Sequence, residues 1–476
     1  MIPFKTLLTI AATVALVWGL HFVPQLDWLA GPDLATLGRI VGVEPSAKAP
    51  EVAKHPEVET QPKEPETTKV EEPPKDPTGI EGTPTLPKFP LSVKVPDIET
   101  GPPTAVVDPT GQMHFFYEAL GRTQTKETGA ITRVLHYGDS PVTADSITAD
   151  ARAMLQAQYG DAGHGFVLIA KPWAWYMHRG VDINAAGWRM DAASQIPRAR
   201  DNLHGLGGVS FVGSAGATSK ITLPDSHHTK VEVLYMRQPG GGEFQIHSGG
   251  ESIATISTAS DEKGTGYGSA VLPADSTHVT LIVTKGTVRL FGVEFEKPGP
   301  GIVYSSLGLN GASVQHLLRY FDTGQWTEQL QHERPDLIVL NYGTNESVYP
   351  KYVESTYTSE LRQVLGRIRA AAPKTSILVM SPMDRGERTH GVIKTLPIMP
   401  KIVELQHQIA MESGCAFYDT FQAMGGEGTM ARWYDNKPRL VNADYTHPLP
   451  GGAAVVGKLL DQALVEGFER WKGHRP

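Results

Sequence analysis

The chain has 476 residues, 40% of them hydrophobic and 20% charged, and a formal net charge of −8. That length holds roughly two or three average domains with a real core. The acidic balance, with no long basic run, argues against nucleic acid as the main partner. The lone cysteine, Cys415, excludes an internal disulfide framework and any Cys-rich metal site.

Residues 7 to 23 read L-L-T-I-A-A-T-V-A-L-V-W-G-L-H-F-V, with Lys5 in front and no charged residue until Asp27. The run sits near the lower limit of the ~20 residues a membrane-spanning helix needs. It reads as an uncleaved anchor with its N-terminus inside, which makes inner-membrane lipid a partner of segment 1–43. A cleaved signal and a buried helix stay open as alternatives. Anchor and signal both put the catalytic part outside the cytoplasm, in a periplasmic or extracellular space.

Residues 44 to 108 hold 14 of the 36 prolines and 13 acidic residues against seven lysines, so most of the net negative charge sits here. Runs such as Q-P-K-E-P-E-T-T-K-V-E-E-P-P-K-D-P bury too little apolar surface to offset chain entropy. The span reads as a disordered, Pro-stiffened linker reaching on the order of 200 Å at most.

The folded part is expected from residue 109. A short amphipathic helix around 112–121 is predicted to stop at Gly121. A strand at 131–137 and a helix at 143–158 follow. Later come apolar strands at 336–342, 375–381 and 414–419, alternating with helices at 356–371, 397–412 and 451–471. This alternation predicts an α/β fold with a parallel sheet, formed by residues 109–204 and 301–476. Between the two pieces, 205–300 carries many short β-rich runs, such as V-E-V-L-Y-M (231–236) and V-R-L-F-G-V-E-F (288–295), punctuated by glycines. It reads as an inserted all-β sandwich.

Four motifs carry the chemistry. V-L-H-Y-G-D-S (134–140) runs from a strand into a turn and puts the Ser140 hydroxyl at the strand's end. The S-S-L-G-L-N-G-A-S segment (305–313) lets backbone approach a ligand closely at Gly311. N-Y-G-T-N-E (341–346) places Asn345 just beyond an apolar strand. N-A-D-Y-T-H-P-L-P-G-G (442–452) sets Asp444 three residues before His447, a spacing that lets the carboxylate hold one imidazole nitrogen while the other faces a serine. Each is ordinary turn chemistry when taken alone. No G-x-S-x-G elbow occurs, which argues against an α/β-hydrolase.

Taken together and in this order, the motifs resemble the SGNH (GDSL-type) hydrolase superfamily. The resemblance covers 109–476 and implies the three-layer α/β/α architecture. It implies Ser140 as nucleophile, His447 as general base and Asp444 as the acid that orients it. The Ser140 and Gly311 amides and the Asn345 side chain would then form the oxyanion hole, with neither metal nor cofactor. One departure is Glu346, where the family often has Asp. Y-G-D-A-G-H-G-F (159–166), S-L-G-L-N-G-A and the β insertion are similar to the peptidoglycan O-acetylesterase group, whose insertion resembles a carbohydrate-binding module.

The resemblance therefore implies a serine esterase that removes O-acetyl groups from a cell-envelope polysaccharide, most similar to the peptidoglycan enzymes. Two alternatives stay open. One is an O-acetyltransferase using the same residues; the other is a tethered carbohydrate-binding protein with a vestigial site. Trp173, Trp175, Tyr176 and Trp188 fit either core packing or sugar stacking, with packing favoured. His136 fits either the sheet interior or the site. His227 and His228 lack partners at metal-ligand spacing, and Met383-Asp384-Arg385 fits an ordinary loop or the rim.

Overall fold

The computed structural model describes residues 94–196 and 198–473. The expected anchor at 7–23 and most of the linker lie outside them. Among the described residues no helix is long and apolar enough to cross a membrane.

Among the described residues sixteen strands occur in chain order. The first two are β1 (Ile131–Gly138) and β2 (Gly163–Val167). An antiparallel group follows: β3 (Asp182–Ala192), β4 (Val209–Thr222), β5 (Lys230–Arg237), β6 (Glu243–Ser248), β7 (Glu251–Ser257), β8 (Gly264–Val271), β9 (His278–Lys285) and β10 (Thr287–Glu296). Then come β11 (Gly301–Gly308), β12 (Leu337–Asn341), β13 (Ser376–Met380), the small hairpin β14 (Gly386–Thr389) and β15 (Val392–Thr395), and β16 (Ala416–Tyr418).

Five strands form a parallel sheet in the order β11-β1-β12-β13-β16. Parallel strands covered on both faces need apolar residues at every position, and β12 and β13 are buried throughout. Alternate residues feed two cores. Leu135, Tyr137, Ile338 and Leu340 point to one side, where helices 323–333, 357–371 and 399–412 contribute Trp326, Leu361 and Ile402. Val134, Leu337 and Val339 point to the other, against Phe116, Leu155 and Phe468 of helices 114–124, 146–159 and 450–473. Helices therefore cover both faces.

The β-rich stretch forms a nine-stranded antiparallel sheet that also takes in β2 and β3, from before residue 205. Its core continues the first of the two cores above: Phe166, Phe211, Val233 and Leu290 belong to the same buried cluster as Leu135. β2 joins the sheets. It pairs with β10, and Phe166 N donates to Ser305 Oγ of β11 at 3.0 Å.

Two expectations are corrected. Gly121 does not stop the first helix, which runs His114–Gln124. The weak helix propensity of one glycine, about 1 kcal/mol, yields to packing of the helix on Phe468. The linker also ends earlier than residue 108. Val95, Ile98 and Val106 pack into the second core, and Val107 exchanges backbone bonds with Phe417 at 2.8 and 3.0 Å. Sparse apolar residues among prolines escaped the composition reading because their partner, β16, lies more than 300 residues away.

Candidate active site

Three neighbouring strands, β11, β1 and β12, end on the same side of the sheet, where loops of parallel sheets place ligands. Gly311 follows β11, Ser140 follows β1 and Asn345 follows β12. Sheet order thus brings together three residues that the sequence scatters.

Ser140 opens a single helical turn, Ser140–Thr143, with Pro141 in its first turn. The turn is fastened at several points. Thr143 N and Oγ1 donate to Asp139 O at 2.9 and 3.0 Å, and Ser306 Oγ donates to Val142 O at 2.9 Å. Gly308 is required there, since a Cβ would run into the Thr143 backbone. The helix expected over 143–158 is broken by Asp145, at φ +48, and resumes as Ser146–Tyr159. Asp145 accepts from both guanidinium nitrogens of Arg152, from Thr148 Oγ1 and from Arg179 N, all beneath the nucleophile turn.

The C-terminal motif folds into a tight loop closed by Asn442 N donating to His447 O at 2.9 Å. Asp444 Oδ1 accepts from the backbone N–H of Thr446 and His447, both at 3.0 Å. Its other oxygen, Oδ2, lies 2.7 Å from His447 Nδ1. The remaining ring nitrogen, Nε2, is 2.8 Å from Ser140 Oγ. Burial works against the charged imidazole, yet the Asp444 bond and charge prevail and hold His447 above its ordinary value. Burial likewise opposes the Asp444 carboxylate, and the His447 bond and charge bring it below the usual range.

Asn345 Nδ2 donates to Ala312 O at 2.8 Å and lies 3.4 Å from Asp139 Oδ2, so it ties together the loops after β11, β1 and β12. Gly311 sits at φ +70, with open space where a side chain would project. Among the described residues, neither its N–H nor that of Ser140 has an acceptor. These two amides and the amide of Asn345 thus stand on three neighbouring loops at the same end of the sheet, donors of the kind an oxyanion needs.

Surrounding groups fix the loops. Glu346, fully buried, accepts from Val314 N at 2.8 Å and Gly343 N at 3.0 Å, and burial pushes it up to about 7. The longer Glu side chain thus bridges the Gly311 and Asn345 loops. Arg385 Nη1 donates to Thr344 O at 2.8 Å and Ser347 Oγ at 3.1 Å, on either side of Asn345. Asp139 lies buried beneath the nucleophile, and burial raises its carboxyl to about 6. Met383 is buried, and Asp384 accepts from Thr395 Oγ1 and Met430 N, holding its own loop.

His136 is buried in the sheet, with Nδ1 2.7 Å from the Tyr304 hydroxyl, and burial lowers it to about 3. His228 is buried with its Nε2 3.1 Å from His164 Nδ1, a pairing across 64 residues that no local spacing signals. Among the described residues no cluster of His, Cys, Asp and Glu is arranged to hold a metal ion. The Asp145–Arg152 pair also went unseen; only its i, i+7 spacing on one helix face hinted at it.

Comparison with known proteins adds three observations. The model for the GDSL-like Lipase/Acylhydrolase family matches residues 284–455, which hold Gly311, Asn345, Asp444 and His447. Ser140 lies before this segment in the chain, with most of the antiparallel strands between them in sequence. No curated protein matches the chain. Among solved structures, a peptidoglycan O-acetylesterase is similar with a TM-score of 0.64 and 22% identity, over 77% of this chain and 99% of that one. An acetylxylan esterase from Geobacillus stearothermophilus reaches a TM-score of only 0.26 at 20% identity, over 35% of this chain and 73% of that one. The first likeness is one of fold. Residues 284–455 thus match the GDSL-like lipase/acylhydrolase model, and the parallel sheet with its added antiparallel sheet is an SGNH-like α/β fold.

Proposed function

We propose that the protein is a serine esterase that removes O-acetyl groups from a cell-envelope polysaccharide, peptidoglycan. The observation that carries the mechanism is the hydrogen-bond chain from Asp444 through His447 to Ser140 Oγ, at 2.7 and 2.8 Å. In this reading Ser140 attacks the acetyl carbonyl while His447 Nε2 takes its proton. The Ser140 and Gly311 amides and the Asn345 side chain receive the developing oxyanion. The tetrahedral intermediate collapses, His447 protonates the departing sugar oxygen, and an acetyl-serine remains. Water, deprotonated by the same imidazole, then releases acetate. Asp444 keeps Nε2 directed at the serine and stabilises the imidazolium.

The choice of substrate draws on the fold shared with a peptidoglycan O-acetylesterase. We also propose that residues 7–23 anchor the chain in the inner membrane, with the catalytic part outside the cytoplasm. The test is acetate release from O-acetylated peptidoglycan, with acetylated xylan and alginate as controls. Release from peptidoglycan by the native protein and none by Ser140→Ala supports the reading. Equal release by Ser140→Ala would sink the mechanism, and preference for xylan would sink the substrate.

A further inference from the structure

Residues 168–181, between β2 and β3, contain three aromatic side chains with different fates. Trp173 and Tyr176 are buried, and the Tyr176 hydroxyl accepts from Leu168 N at 2.9 Å. Trp175, between them, is 37% exposed, and its indole Nε1 donates to Asn310 Oδ1 at 3.1 Å. With its one polar atom engaged, the exposed part of this ring is carbon. Such surface is held open to water at a cost unless something covers it.

Its location gives the reason. Gly138 and Gly308 pair across β1 and β11, and Leu309 N donates to Gly138 O at 2.9 Å. Asn310 and Ser140 therefore each stand just past the same rung of the sheet, and Asn310 immediately precedes Gly311. The loop is held in place next to the nucleophile turn as well, since Met177 N donates to Thr143 O and Arg179 N to Asp145 Oδ2 at 3.4 and 2.7 Å. Farther along, Lys171 of this loop lines a cleft of about 500 Å³ with Asp182, Asn184 and Trp188 of β3.

We propose that Trp175 is a sugar-stacking platform at the rim of the catalytic centre, and that a glycan reaching Ser140 continues from it into the β3 cleft. This rests on the polysaccharide reading above. Sugar rings offer C–H faces that pack on an indole and hydroxyls that need polar partners. The rim and cleft supply both: Trp175 and Trp188 as apolar surfaces, Lys171, Asp182 and Asn184 as donors and acceptors.

The test uses the full chain and compares kcat/KM for soluble O-acetylated peptidoglycan oligosaccharides with kcat/KM for p-nitrophenyl acetate. Trp175→Ala is expected to lower the ratio about tenfold, mainly through KM for the glycan. Trp175→Phe, which keeps an aromatic face but loses the N–H, is expected to restore it to within about twofold of the native value. Asn184→Ala is expected to flatten the gain in kcat/KM with oligosaccharide length. If Trp175 only held Asn310, Ala and Phe would be equally impaired on both esters, and the inference would fall. An unchanged ratio in Trp175→Ala overturns it too. A native protein that hydrolyses p-nitrophenyl acetate but frees no acetate from any glycan overturns the polysaccharide reading, and this inference with it.

Discussion

Ser140 Oγ lies 2.8 Å from Nε2 of His447, a residue 307 positions later in the chain. Groups that act as one unit are non-additive when removed. Ser140→Ala and His447→Ala are each expected to lower kcat on p-nitrophenyl acetate by about 10⁴–10⁶-fold, with the double variant no slower than the worse single. Additive losses would show that the two groups act separately.

The pH profile follows from the raised His447. The imidazole must be neutral to accept the serine proton, so activity rises as it deprotonates. Because the Asp444 contact outweighs desolvation, the midpoint of the acid limb is expected above the ordinary value of 6.5. Asp444→Asn removes the charge, so the midpoint moves down while kcat falls by about 10⁴-fold. Rate–pH curves of both proteins check the direction.

Asn345→Ala is expected to cut kcat by about 10²–10³-fold, the usual loss for one oxyanion donor. The variant also loses the bond to Ala312 O, so circular dichroism should accompany the kinetics. An unaltered spectrum with that loss in kcat, and little change in KM, fits a donor that acts in the transition state.

Stability at low pH depends on Asp145. Burial alone would raise its carboxyl, but the Arg152 charge and bonds bring it down to about 2, from an ordinary 3.8. A depressed acid stabilises the fold fully above its unfolded value, and that contribution drains away as pH falls from about 4 toward 2. Asp145→Asn tolerates the left-handed backbone but strands a buried guanidinium. It is expected to cost about 3–5 kcal/mol at neutral pH, read from urea midpoints, and to flatten the acid limb of stability.

Glu346→Gln replaces one of two acceptor oxygens with an amide donor facing a backbone N–H. Leaving that N–H unsatisfied is expected to cost about 1–3 kcal/mol and to lower kcat as the Gly311 and Asn345 loops separate. Thermal melting and esterase assays on the same preparation check both.

Much of this was legible along the chain because it is written in local spacing. Asp444 and His447 meet within a single loop, and the apolar runs at 337–341 and 376–380 declare strands buried on both faces. What escaped depends on pairings with no local signal. The stacking of the Val107 segment on β16, the His164–His228 contact and the Trp175–Asn310 bond each join distant segments through surfaces that exist only once the sheets have formed. Gly121 misled for the opposite reason: its local preference was real, and packing overruled it.

The two borders of the parallel sheet are occupied differently. Val107 closes the β16 border, whereas Asp161, just ahead of β2 and the antiparallel sheet, bridges to Ile302 at the β11 border. The border that carries the Val107 segment is thus the one opposite the border where the antiparallel sheet, its cleft and the loop of Trp175 attach. The amino-terminal segment therefore joins the catalytic body without passing over the loops of Ser140, Gly311 and Asn345.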